Sequence, residues 1–186
     1  MKKVIFKKSI VAEEYVNKYI CEKIKKTLKE YKKKKLLRKR SNQDGVQTVN
    51  VEDKEIATFL LNCFADCIKK NYKTKKELNC TLNNFWINEN KKGSKNAAHV
   101  HPESDFSGVY YVEVPKDSGN IRFEQFDLHD QNLGHHFFDD EFWDAYNIFN
   151  KQYQFLIFPS NYVHEVEVSK SSKARISVSF NVTIQR

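Results

Sequence analysis

The chain has 186 residues, room for one domain with a sizeable core, and its 40% hydrophobic and 30% charged residues suit a globular protein. No apolar run approaches the roughly eighteen residues of a membrane span, and four cysteines (Cys21, Cys63, Cys67, Cys80) are too sparse for a disulfide framework. The net charge of +8 is uneven: residues 1–40 hold 16 Lys and Arg against 4 Asp and Glu, so the basic character is an N-terminal feature.

That basic stretch offers a surface to nucleic acid or another acidic partner, although a solvated helix face explains it as simply. In MKKVIFKKSIVAEE the apolar residues are broken by Lys7 and Lys8 and no small-residue cleavage site follows. No signal peptide is therefore expected, and the chain reads as cytoplasmic with no membrane association. Cys63 and Cys67, four apart on one helix face, read as buried free thiols.

Two helices lead. In SIVAEEYVNKYICEKIKKTLKEYKKKKLLRKR, Val16, Ile20, Ile24, Leu28 and Tyr31 recur at spacings of three and four, with lysines opposite. Ser9 is the expected cap, with Glu13 and Glu14 in the first turns. Asp44-Gly45 marks a turn, and VEDKEIATFLLNCFADCIKKNY gives a second helix with Ile56, Phe59, Leu60, Cys63, Phe64, Cys67 and Ile68 on its apolar face.

From about residue 78 the period becomes two. TLNNFWINEN, AAHVH, SGVYYVEVP, NIRFEQF, QFLIFPS, VHEVEVS and RISVSFNVTI read as strands, with turns at Lys91-Lys92-Gly93 and Asp117-Ser118-Gly119. Short strands without intervening helices predict an antiparallel sandwich or barrel. The aromatic, acidic segment 129–152 interrupts them as a long insertion, expected to hold a helical turn or two, and suits a lid or binding loop. The whole is expected as one domain, 1–75 forming support helices and 76–186 the β core.

His99 and His101 flank Val100 in one predicted strand and so face the same side, half of a metal site on rigid backbone. His164, 65 residues after His99, supplies a third ligand from a separate strand. Eleven residues further, Arg175, Ser177, Ser179 and Asn181 alternate with Ile176, Val178, Phe180 and Val182. One face of that strand suits a core. The other carries a guanidinium, whose planar fork fits a carboxylate.

Together, the WIN, HxHP, SGVYYV, FPS, VHEV and Arg-x-Ser segments over residues 80–184 resemble the Fe(II)- and 2-oxoglutarate-dependent oxygenases, in particular a subgroup found in bacteria and marine phages. The resemblance implies a mainly β, double-stranded β-helix (jelly-roll, cupin-like) core supported by two α-helices. It implies Fe(II) held by His99, His101 and His164, with the distal carboxylate of 2-oxoglutarate meeting Arg175 and Ser177. Only one of Tyr110 and Tyr111 can face the pocket, and prolyl-hydroxylase-like spacing suggests Tyr111. Asn88 on the preceding strand lines the pocket or, beside Trp86, belongs to the core.

The superfamily usually pairs two histidines with a carboxylate. An alternative register therefore has His101 and Glu103 as the pair, His164 distal and His99 outside the ligand set. His129, His135 and His136 read as loop residues of the insertion. Two other functions fit the same residues. One is a cupin-like metal enzyme without 2-oxoglutarate, its acidic substrate on Arg175. The other is a non-enzymatic, metal-stabilised module that binds nucleic acid through its basic helix. The substrate itself is unreadable, because selectivity resides in loops such as 102–107 and 129–152.

Overall fold

A computed structural model describes residues 10–73, 78–124 and 145–185. Two helices cover one face of a six-stranded sheet, and a five-stranded sheet faces the other. The strands are β1 (Val11–Glu14), β2 (Asn42–Gln43), β3 (Val46–Gln47), β4 (Cys80–Asn90), β5 (Lys95–His99), β6 (Phe106–Glu113), β7 (Ile121–Glu124), β8 (Ala145–Ile148), β9 (Gln154–Pro159), β10 (Val163–Val166) and β11 (Arg175–Ile184). The large sheet runs β1-β9-β6-β11-β4-β3 and the small one β2-β5-β10-β7-β8, with every strand pair antiparallel. The mainly β jelly roll backed by two helices is the expected fold. No helix among the described residues is long and apolar enough to cross a membrane.

Helix α1 (Lys18–Lys33) starts where the Asn17 side chain accepts the Ile20 N–H at 3.0 Å and ends in Lys32 and Lys33, favourable at its negative end. Helix α2 (Lys54–Asn71) is capped by Asp53, which accepts the N–H groups of Glu55 and Ile56 at 3.0 Å each. The start of α1 corrects the sequence reading. Ser9 lies outside the described residues, and Glu13 and Glu14 belong to β1, which pairs with β9. Val16 is 59% exposed rather than on the buried face. Helical periodicity from residue 20 onward had been extended backward over a segment that finds its hydrogen bonds on a sheet edge.

The apolar faces of both helices, through Ile24, Leu28, Ile56, Leu60 and Phe64, meet Phe85, Ile87, Tyr110, Phe155, Val178 and Phe180 of the large sheet. The period of two then sorts the alternate residues. Val109, Tyr111, Leu156 and Phe158 turn to the space between the sheets and meet Ile121 and Phe123. Gly108 permits the closest approach: a Cβ there would stand 2.1 Å from the Phe180 ring and 2.6 Å from the Leu156 carbonyl oxygen. The segment expected as an insertion, 129–152, contains β8, paired with β7; residues 125–144 lie outside the described residues.

Candidate metal centre and anion pocket

His99 is the last residue of β5, and His164 on β10 is its direct cross-strand partner, so the ladder itself sets their imidazoles side by side. His101 stands two residues past the strand end rather than within it. Its backbone N–H donates to the Ser160 carbonyl at 2.9 Å, which turns its ring back over the other two. Ring centroids are 4.4 Å (99 to 164), 4.9 Å (99 to 101) and 5.1 Å (101 to 164) apart. One ligand atom from each of the three lies within 4.8 Å of the others.

Each strand histidine is oriented by main chain. The Nδ1 atoms of His99 and His164 donate to the carbonyls of Ala97 (2.7 Å) and Tyr162 (2.9 Å). A carbonyl only accepts, so Nδ1 carries the proton and Nε2 keeps its lone pair for a metal. Burial disfavours the imidazolium of His99. For His101 burial, then the charges of His99 and Arg38, bring the pKa down to about 4, and for His164 burial and His99 bring it to about 3. All three are therefore neutral at pH 7, as ligands must be. Phe158 packs edge-on to His164 at 4.7 Å and Trp86 lies 5.6 Å from His101.

Glu103 does not join the group. It is exposed, on a turn with φ of +70°, and no carboxylate belongs to the cluster among the described residues. Cys63 and Cys67 are buried free thiols, pushed by burial to about 12 and about 11, and join no ligand cluster. His129, His135 and His136 fall outside the described residues.

A narrow cavity runs from the three imidazoles to Arg175, Ser177, Tyr111 and Asn88. Ser177 pairs with Tyr111 on β6 and with Asn88 on β4, so these three form one row across adjacent strands. Tyr111 faces the cavity and is 2% exposed, burial raising its phenol. Tyr110 points the other way, its hydroxyl donating to the Tyr15 carbonyl at 2.9 Å in the helical layer. Arg175 is 2% exposed. Its Nη1 donates to the Gly119 carbonyl at 2.6 Å, while Nε is buried with no partner, as is Asn88 Oδ1.

Burial pulls the Arg175 pKa down, and among the described residues no carboxylate lines this cavity. A buried guanidinium without a counter-ion is costly, which marks the place of an anion. The carbonyl anchor at Gly119 escaped the sequence reading. Its only trace there is the turn glycine, whose φ of +81° and close approach to the Glu167 carbonyl exclude a side chain.

A second, more open groove adjoins the metal side of the cavity, sharing Trp86, His99 and His101 with it and adding Arg38 and Arg40.

Residues 84–181 match the profile of the family described as "Putative 2OG-Fe(II) oxygenase". The fold is similar to that of a viral collagen prolyl hydroxylase from Paramecium Bursaria Chlorella virus-1, solved as a 2OG complex (12% identity, 94% of this chain and 96% of that one, TM-score 0.61). It is also similar to a Pseudomonas putida prolyl-4-hydroxylase (12%, 96% and 92%, 0.61) and to HygX of Streptomyces hygroscopicus with nickel and 2-oxoglutarate bound (9%, 94% and 82%, 0.65). No curated protein matches the sequence. With a profile match over more than half its length, and the fold and clustered histidines to go with it, this chain belongs to the 2OG-Fe(II) oxygenase family.

Proposed function

We propose that His99, His101 and His164 hold Fe(II) through three imidazole nitrogens, and that Arg175, Ser177, Tyr111 and Asn88 receive 2-oxoglutarate, for hydroxylation of a substrate. The observation that carries the ligand assignment is the clustering of three neutral histidines within 4.8 Å with no carboxylate among them. Three neutral ligands leave the ion's charge to the dicarboxylate cofactor, which makes this donor set compatible with the pair. The unpartnered Arg175 Nε on the cavity wall supports the cofactor assignment. Bound there, Fe(II) with 2-oxoglutarate would supply oxidation coupled to cofactor decarboxylation.

The chain's own residues would do the rest. The Ala97 and Tyr162 carbonyls hold two rings in their tautomer and orientation. Arg175, itself fixed on Gly119, sets the depth at which a distal carboxylate stops. Tyr111 and Ser177 offer hydroxyl donors beside it. Phe158 and Val109 keep the chamber apolar and exclude water. Four free cysteines suit a reducing cytoplasm, and the exposed lysines of α1 suit an acidic partner.

The test is anaerobic titration with Fe(II) and 2-oxoglutarate. One iron per chain is expected, lost in His164→Ala, and succinate release should require both additions. Arg175→Ala should keep the iron and weaken 2-oxoglutarate about a hundredfold, on the order of 3 kcal/mol for a buried charged hydrogen-bond partner. A chain that takes up no iron, or an Arg175→Ala variant with unchanged cofactor affinity, overturns the assignment.

A further inference from the structure

The open groove on the metal side is lined by Arg38, Arg40, Gln47, Trp86, His99 and His101, with Asn84, Asn181 and backbone-flanking residues completing it. Arg38 is half-buried and lies over the Trp86 indole, its guanidinium carbon 4.9 Å from the ring centroid. The same indole stands 5.6 Å from the His101 ring. Guanidinium, indole and metal-side imidazole are thus consecutive neighbours along one wall. Three features set Arg38 apart from the lysines of the N-terminal region. Its main chain is held by the backbone N–H donated to the Gln47 carbonyl at 2.9 Å, and its guanidinium by the stack on Trp86. Its Nε is buried with no hydrogen-bond partner, as is Gln47 Oε1 on the same wall. Among the described residues neither Arg38 nor Arg40 makes an ion pair, and of these residues only Glu103 contributes a carboxylate to the groove.

We propose that the substrate oxidised at this site carries an oxyanion, a carboxylate or a phosphate monoester, received by Arg38 on its Trp86 platform with Arg40 behind it, so that the substrate's reacting carbon reaches the three-histidine face. This rests on the metal assignment above and extends it to substrate class. The physical reason is the same that assigns Arg175. A guanidinium that is positioned, partly desolvated and left without a counter-charge gains most from a planar or tetrahedral oxyanion. Burial and the neighbouring Arg40 already disfavour the charged form of Arg38, so a bound anion relieves a repulsion the free protein carries. The two guanidinium groups line different recesses beside the histidines: the buried Arg175 the inner cavity, the half-buried Arg38 the more open groove. A small cofactor suits the first, and a larger substrate entering from solvent suits the second.

The chain has two tryptophans, Trp86 and Trp143, so the indole N–H region of a nitrogen-15 spectrum holds two signals, assigned by Trp143→Phe. Protein loaded with Zn(II), diamagnetic and accepted by the same ligands, and saturated with 2-oxoglutarate at Arg175, is titrated with methyl phosphate, with acetate, and with neutral acetamide. A saturable shift of the Trp86 signal is expected with an anion and not with acetamide, weakened at least tenfold in Arg38→Gln, which keeps a planar group but no charge. Earlier saturation by methyl phosphate points to a phosphate ester, and by acetate to a carboxylate. No shift with either anion, an equal shift with acetamide, or a shift retained in Arg38→Gln overturns the inference. Zinc stoichiometry and 2-oxoglutarate affinity are measured on the same samples. If both are normal while Trp86 is silent, the oxyanion site alone is wrong. If they fail while Trp86 responds, the metal assignment is wrong and the anion site stands.

Discussion

On the helix side of the large sheet, β11 presents Val178, Phe180 and Val182, all fully buried among the aliphatic and aromatic side chains of α1 and α2. On its other side, the same strand presents Arg175, Ser177 and Ser179 to the cavity between the sheets. The first side is satisfied by contact alone, each large apolar side chain contributing about 1.5–3 kcal/mol by leaving water. The second side buries Arg175 and Ser177 almost as deeply and Ser179 less so, yet among the described residues Arg175 Nε and Asn88 Oδ1 find no partner there. Stability is concentrated on one face of a single strand and ligand affinity on the other. Substitutions on the two faces should therefore separate folding from binding.

The largest separation is expected from His164→Ala. Metal binding should fall beyond detection while the metal-free variant still folds, losing about 1–3 kcal/mol with the Tyr162 hydrogen bond and the packing of one neutral imidazole on Phe158. A strongly destabilised metal-free variant would merge the two faces into one. Next comes Phe180→Ala, which should cost about 3–5 kcal/mol in thermal or urea unfolding and leave iron stoichiometry of the folded fraction at one. The adjacent tyrosines sharpen the contrast. Tyr111→Phe should weaken 2-oxoglutarate several-fold, about 1 kcal/mol, with little change in stability. Tyr110→Phe should do the reverse, since it loses the bond to Tyr15 and touches no cavity.

Acidification offers a fourth test on the metal-free protein. The folded-state pKa values of His101 and His164, about 4 and about 3, lie below the 6.5 of an unfolded histidine. Between those values the unfolded chain binds protons that the folded chain does not. The stability these residues allow is therefore present above pH 6.5 and declines as the pH falls toward 4 and then 3. A melting temperature that climbs on acidification through that window would contradict it. The smallest effect belongs to the half-exposed Lys32–Glu89 pair at 2.6 Å: Lys32→Ala should change stability by less than about 1 kcal/mol.

Much of this was legible in the sequence because strand alternation is strict. The split of Arg175, Ser177 and Ser179 from Val178 and Phe180, and of Tyr111 from Tyr110, follows from the period of two once one residue's side is known. Other features depend on long-range pairing that no local pattern encodes. Val11–Glu14 is a strand only because β9 lies open beside it, and Ala145–Ile148 only because β7 does. His101 leaves the strand because its N–H finds Ser160, nearly sixty residues away in sequence. Arg38 is one basic residue in a lysine-rich run, and what distinguishes it, the indole of Trp86 beneath it and the burial of its Nε, comes from strands far along the chain.

The placement of His101 has one more consequence. Two of the three imidazoles are mounted on paired β-strands, whereas the third sits on a rim segment held at His101 by one main-chain bond to Ser160 and at Glu103 and Ser104 by the exposed Asn83 side chain. Escape of an ion held there should then be paced by fraying of residues 100–104, between the ends of the paired strands, a local opening far cheaper than unthreading the sheet. Amide exchange in that segment should slow markedly on metal loading while β10 is left as it was, making the tether a slow latch on an otherwise prebuilt socket.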